Sequence, residues 1–594
     1  AGAAVGASRS GAASGVVVAL SAATAVLLCG QRSTVRRARR RAVRSLLARA
    51  ATGFDVAAWR NGFCEVEPNL DGGYYFLEGV PDIPADLQGT FFRNGPGNFE
   101  VHGRKISHQM DGDGLVLGIS FCGDGTVAIR HRFVQTIGLL RDTMEKRLVS
   151  KGMFGTEVSE GGKLIDMRKG ELKNTGNSGL LWWQGRLLAL WDYGKPFEID
   201  PYTVGTMLGS EDNGATSVGG MLEKSMNLGS ASRVCATTGN LMCFAQSSGA
   251  LNSDLNFFEV TPSETWERRY GFPCRSKVDG FTTFADFGFT PNWFVVSKPP
   301  LKPDSVAAGM GNERIFEVLS YDPGAVSELL FVSREKGGPE IRVPIDGLVF
   351  KEFANAYEPE AGRVVLDIVA AARWDLGGRP SGAAAPWETE DPSTRPRTKL
   401  VRYEVDLNAK TWTRRDLCGE HLEFASVNAS VAGKPHRYVF AALAHGAGGD
   451  EAGPAAGVAK IDLSSGAVDK WVPGPTEFGG QPVFVPRPGS SDEDDGYLIN
   501  VIFDGATSRS DVVILDARSV SSGPVCRFAL KDPMPHGMRA VWAPGFVPTE
   551  KEMKRKTTLL KMFRKKSGAW NAWSSGASIL AQDVFFAKQG TKMR

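Results

Sequence analysis

The side chains able to hold a metal or move protons are few and unevenly spread. Histidine occurs seven times, as His102, His108, His131, His421, His436, His445 and His536, and positions 132–420 contain none. An imidazole-based metal centre needs several rings converging on one point, so no such centre can draw on the middle of this chain. His102 and His108 are separated by a turn and can reach one another; ordinary turn and strand-end hydrogen bonding accounts for the rest. The eight cysteines are scattered, with no Cys-x-x-Cys pair, which argues against a structural zinc site and a small disulfide-stapled domain. A net charge of +3 is close to balanced and implies no nucleic-acid surface.

The elements that would position these groups read as strands. Gly89–Arg93 is followed by Asn-Gly-Pro-Gly, a polar excursion and Asp-Gly-Asp-Gly leading into a second apolar run that reaches Gly118. Asn-Gly and Asp-Gly steps supply the positive φ of tight hairpins. Short apolar runs bounded by Gly, Pro, Asp and Asn then recur, as in GLLWWQGRLLALWD (179–192), NWFVVSKPP (292–300), GRVVLDIVAA (362–371) and DVVILDA (511–517). Their length and spacing predict an all-β sandwich, barrel or propeller, with one amphipathic helix over Leu139–Lys151.

Three domain-level segments follow. Residues 1–52 form a leader: positions 1–50 lack acidic residues, and the apolar run Val16–Cys29 precedes QRSTVRRARRRAVR. The run is short for a membrane span of about 20 residues. The combination resembles a bipartite plastid-targeting leader, the alternative being a retained anchor. Residues 53–548 form the β domain, entered by a segment, Gly53–Pro84, that should lie across it, and residues 377–398 are a Pro/Gly/Ala/Thr-rich insert expected to be disordered. Residues 549–594 form a basic tail in which Leu559, Leu560, Met562 and Phe563 lie among lysines and arginines. Such a tail suits a membrane surface or a partner protein, or is simply a solvated basic segment.

With the strands in place, DLQGTFFRNGPGNFE (86–100) and MDGDGLVLG (110–118) resemble the start of the carotenoid cleavage oxygenase family, which includes retinoid isomerases. Further matches follow in the family's order, among them HRFVQT (131–136), FADFGFTPNWFVV (284–296), FANAYE (353–358), LEFASVN (422–428) and PHGMRAVW (535–542). The resemblance implies a seven-bladed β-propeller with a helical and loop cap over an apolar tunnel. It also implies one ferrous ion held by four histidines near the propeller axis.

At those four positions this chain departs from the resemblance. The Ala-His-Pro motif reads Ser230-Ala231-Ser232, and His-Asp-Phe reads Ala285-Asp286-Phe287. His-x-x-Asn-Ala reads Glu352-Phe353-Ala354-Asn355-Ala356, and Gly-Phe-His-Gly reads Gly537-Met538-Arg539-Ala540. The former ligand positions are therefore Ala231, Ala285, Glu352 and Arg539, and no cofactor is expected. The family's three glutamates that orient the imidazoles correspond to Asp192, Glu423 and Gln481: one shortened, one kept, one neutralised. A buried carboxylate without a partner takes up a proton or needs a cation. The expectation is that the Arg539 guanidinium occupies the vacated position and pairs with Glu423 or Glu352, the alternative being that both side chains turn outward.

Three functions are compatible with the sequence. One is a non-catalytic carotenoid- or apocarotenoid-binding or structural protein of a plastid pigment system, membrane-associated through its tail. Another is a working carotenoid dioxygenase. The third is a metal-free isomerase or rearrangement enzyme using Glu352, Asp286 or Glu423 as acid or base.

Overall fold

A computed structural model describes residues 53–554 except 67–72, 159–171, 208–213, 249–251, 263–272, 305, 307–317, 375–394 and 447–450. The expected leader over residues 1–52, most of the 377–398 segment and the tail beyond 554 lie outside the described residues.

The strands form seven antiparallel blades around one axis. Blades two to six each take four strands in chain order, beginning with inner strands Gly179–Trp183, Asn227–Val234, Gly288–Phe289, Val349–Glu360 and Leu422–Ser426, while small two-stranded sheets interrupt the chain within blades four to six. Val483–Pro486 lies on the inner side of blade seven. Blade one combines both ends of the domain. Its strands Gly73–Leu77, Val127–Phe133, Asp113–Phe121 and Gly89–Arg93 are completed by Ala540–Pro544, with Gly89 opposite Pro544 and Arg93 opposite Ala540. The entry segment thus supplies an edge strand and, before it, a short helix α1 (Val56–Asn61) N-capped by Asp55.

Apolar clusters fill the spaces between blades. Phe91, Ile119 and Ile129 of blade one pack with Ile499, Val512 and Ile514 of blade seven. Phe257 stacks on Phe294 at 5.0 Å between blades three and four, and Phe440 on Phe484 at 4.8 Å between blades six and seven. Phe257, Phe294 and Phe440, each fully buried, contribute about 1.5–3 kcal/mol apiece.

The predicted helix over Leu139–Lys151 is shorter, spanning Ile137–Glu145 (α2). Thr136 Oγ1 caps its start by accepting the Leu139 N–H. Lys146 ends it in the left-handed conformation at φ 50°, and Asp142 accepts the Val149 N–H, turning the chain away. Asp142 also ties α2 to the sheet. The Lys173 ammonium lies 2.7 Å from Asp142 and 2.8 Å from Asp113, with all three side chains at most 5% exposed. Gly114, next to Asp113, lets the backbones approach closely, since a Cβ there would stand 2.5 Å from the Gly176 carbonyl oxygen.

Replacing Lys173 with Met leaves two uncompensated buried carboxylates. The expected loss is about 3–5 kcal/mol of stability, read as a lowered urea midpoint; an unchanged midpoint would show that the triad carries no net stability.

Candidate functional site

The heads of the inner strands converge on a chamber of about 410 Å³. Ser178, Ser230, Ala285, Glu352, Glu423 and Arg539 line it from the blades, with Asp192 beside them. Trp59, Phe63, Met110, Phe154 and Phe424 add apolar walls, and His108 and His536 also face in. Asp192, Ala285, Glu352, Glu423 and Arg539 are therefore brought together. Ala231 and Gln481 are not. Ala231 packs in the apolar cluster with Phe244 and Phe287, because strand alternation turns Ser230 to the chamber and its neighbour between the blades. The Gln481 side chain accepts the Ala540 N–H at 2.8 Å, steadying the strand that follows Arg539.

Glu352 is 7% exposed, and one of its oxygens accepts the Phe424 N–H. That contact exists because Phe424 adopts φ 55°, beside a register shift in the strand Leu422–Ser426. A bulky residue held left-handed costs on the order of 1–3 kcal/mol. Burial pushes the Glu352 carboxyl up from its ordinary range to about 7; the Arg539 charge opposes this, and Asp286 and Glu423 add to it. Asp192 is also pushed up by burial, although it accepts the Ser230 N–H at 2.6 Å.

Arg539 does not form the expected direct pair. Among the described residues it makes no ion pair within 4 Å; its charge reaches Glu352 and Asp192 through space. Its backbone is fixed instead. Asn94 donates its N–H to the Arg539 carbonyl and accepts the Met538 N–H, both at 2.9 Å, while its side chain donates to the Gly176 and Gly179 carbonyls. Read in the sequence only as part of a turn, Asn94 is the clamp that holds Arg539 at the axis.

Asp286 is no free acid or base. Arg233 grips it through two hydrogen bonds of 2.7 and 2.8 Å, and the Phe287 and Phe353 N–H groups donate to it as well. The same guanidinium donates to the Phe287 and Phe353 carbonyls, joining three blades. Arg233 lies two residues beyond Ala231, yet nothing local in the sequence signals its cross-blade partner.

The sequence profile described as retinal pigment epithelial membrane protein, RPE65, matches residues 74–544. The chain is 31% identical over 500 residues to apocarotenoid-15,15'-oxygenase of Synechocystis sp., covering 82% of this chain and 96% of that protein. The chain belongs to the carotenoid cleavage oxygenase family. It is 27% identical over 538 residues to carotenoid cleavage dioxygenase 7, chloroplastic, of Oryza sativa subsp. japonica, covering 78% and 86% of the two chains. The crystal structure of the cobalt-substituted Synechocystis enzyme superimposes with a TM-score of 0.73 at 29% identity, over 82% of this chain and 99% of that one.

The residues lining this family member's chamber do not fit a four-imidazole ferrous site. Only His108 and His536 face it. His108 Nδ1 accepts the Met110 N–H, and His536 Nε2 lies 2.9 Å from the Trp59 carbonyl oxygen. His436 is buried against Asp367 at 3.0 Å in blade five, His131 pairs with Asp532, and His102 is exposed in a turn, away from the buried His108. Among the described residues, no three His, Cys, Asp or Glu side chains gather as a metal-holding group.

The raised Glu352 group predicts a pH-dependent stability. The folded protein keeps a proton that the unfolded chain has released, so stability falls as pH rises from the ordinary glutamate range through about 7. Glu352→Gln removes that dependence. Its advantage in thermal midpoint over the parent should grow between about pH 5 and pH 8 to an equivalent of roughly 2–3 kcal/mol. A difference that stays flat with pH would show that Glu352 ionises normally.

Proposed function

We propose that this chain is a family member that has lost its ferrous site and serves as a non-catalytic carotenoid- or apocarotenoid-binding or structural protein of a plastid pigment system. The observation that carries this reading is the side-chain set at the axis, where carboxyls and a guanidinium line the chamber and only two imidazoles face it. Activation of O₂ for alkene cleavage calls on a redox metal, and a guanidinium, always charged, does not ligate one. The apolar walls from Trp59, Phe63, Phe154 and Phe424 suit a polyene. The name of the Synechocystis relative supports an apocarotenoid as ligand, and the name of the rice relative supports a plastid location. Membrane or pigment-complex attachment would fall to the basic tail; among the described residues no helix is long and apolar enough to cross a membrane.

One observation favours a second reading. A carboxyl with its proton equilibrium near 7, as at Glu352, is suited to metal-free acid–base isomerisation.

The test is metal analysis and absorption spectroscopy of protein from its native source, followed by incubation with β-carotene and an apocarotenal. Bound pigment without turnover and without near-stoichiometric iron is the expected result. Shorter aldehydes together with iron would identify a working dioxygenase, and isomers without iron would identify the second reading.

A further inference from the structure

Arg539 is the one strong donor in the chamber whose partner is missing from the described residues. Its backbone is clamped by Asn94, so the side chain starts from a fixed point. Its guanidinium makes no hydrogen bond or ion pair there, while the neighbouring arginine, Arg233, is saturated by Asp286 and two carbonyls. Glu352 is part-satisfied, with one oxygen on the Phe424 N–H and no further hydrogen bond or ion pair among the described residues. Because Arg539 and Glu352 lie beyond ion-pairing distance of each other yet line the same cavity, a ligand atom can stand between them.

The charges already present decide what that atom is. Asp192, Glu352 and Glu423 bring three carboxyls to the chamber, against Arg539 and Lys351. An incoming carboxylate would add another anion to a desolvated acidic group, which is costly. A neutral acceptor adds none and still gives the guanidinium a charge-assisted hydrogen bond. The aromatic walls favour a flat, stiff chain, which loses little rotamer freedom on binding.

We propose that the axial chamber takes the carbonyl end of a conjugated polyene, with the Arg539 guanidinium donating to the carbonyl oxygen and the polyene running along the aromatic walls. This rests on the reading above that the chamber holds a carotenoid-derived ligand, and it specifies which end of the ligand is held and how. No bond is made or broken: a donor at the oxygen draws electron density along the conjugated chain and moves its absorption to longer wavelength.

The probes are all-trans-retinal, retinol, retinoic acid and β-carotene, added to the full chain, with tryptophan quenching for binding and the absorption maximum for the carbonyl contact. Retinal should bind with a shift to longer wavelength relative to detergent solution. Retinoic acid, whose carboxylate adds an anion beside the desolvated Glu352, should bind on the order of tenfold more weakly, and retinol, whose hydroxyl oxygen accepts but lies outside the conjugated system, should bind without the long-wavelength shift. Arg539→Met should lose the spectral shift, and Arg539→Lys, which keeps a donor, should retain part of it. A shift that persists in Arg539→Met, tighter binding of the acid than of the aldehyde, or a borohydride-trapped adduct on Lys351 would each overturn the carbonyl assignment. These outcomes leave the broader reading standing when β-carotene binds. Failure of all four probes to bind the parent chain would overturn both. The ranking of the three end groups on the parent chain keeps the test decisive if Arg539→Met does not fold.

Discussion

Closure of the ring by the pairing of Ala540–Pro544 with Gly89–Arg93 is the interaction on which the other features depend. Without it, the edge of Gly89–Arg93 would be an open row of unpaired backbone groups, and blades one and seven would lose their shared apolar cluster. The same pairing places residue 539 one step before the closing strand, at the head of the axis. Asn94, one step past Gly89–Arg93, then reaches both Met538 and Arg539. The seam of the fold and one wall of the chamber are the same piece of backbone.

The buried charges fall into two groups that differ in how completely they are partnered. Lys173 sits between Asp113 and Asp142, Arg402 pairs twice with Asp367, and Arg233 grips Asp286. Lys173 and Arg233 tie together elements distant in the chain, Arg402 faces Asp367 from the neighbouring strand of blade five, and the direct hydrogen-bonded contact in each makes the buried pair tolerable. Glu352, Asp192 and Arg539 differ. They influence one another without direct pairing, and burial shifts the two carboxyls upward. Incomplete pairing is where a ligand has something to offer.

The sequence revealed the architecture more readily than the site. The strands Gly89–Arg93 and Asp113–Phe121 follow from local alternation and turn residues, and an ordered series of such runs reads as a β fold. The convergence of Asp192, Ala285, Glu352, Glu423 and Arg539 was legible only because family motifs mark those places. Ala231 shows the limit: a motif gives a position to within a residue, but strand alternation decides which of two neighbours faces the axis. The Arg233–Asp286 lock, the left-handed Phe424 and the Asn94 clamp were not legible, since each is defined by a partner contributed by another blade. The helix α2 ended early for a similar reason, because Asp142 is claimed by Lys173 and by the Val149 N–H.

The propeller can tolerate variation at its axis because most of what holds the ring together is made away from the side chains lining it, the Glu352 and Asp192 contacts to backbone N–H groups of the next blade being exceptions. The ladders use backbone groups, and the inter-blade clusters use residues facing away from the chamber, as Ala231 does beside Ser230. Positions at the strand heads that make no such contact, as at Ala285, are free to change chemistry at little cost to the fold, which is the physical sense in which a fold does not dictate a function. What does constrain them is charge. An acidic group such as Glu352, placed at the head of the long strand Val349–Glu360 and shut away from water, stays neutral or draws a cation toward it. Arg539 meets that demand only at a distance, so the carboxyl and the guanidinium share the chamber without neutralising one another by direct contact.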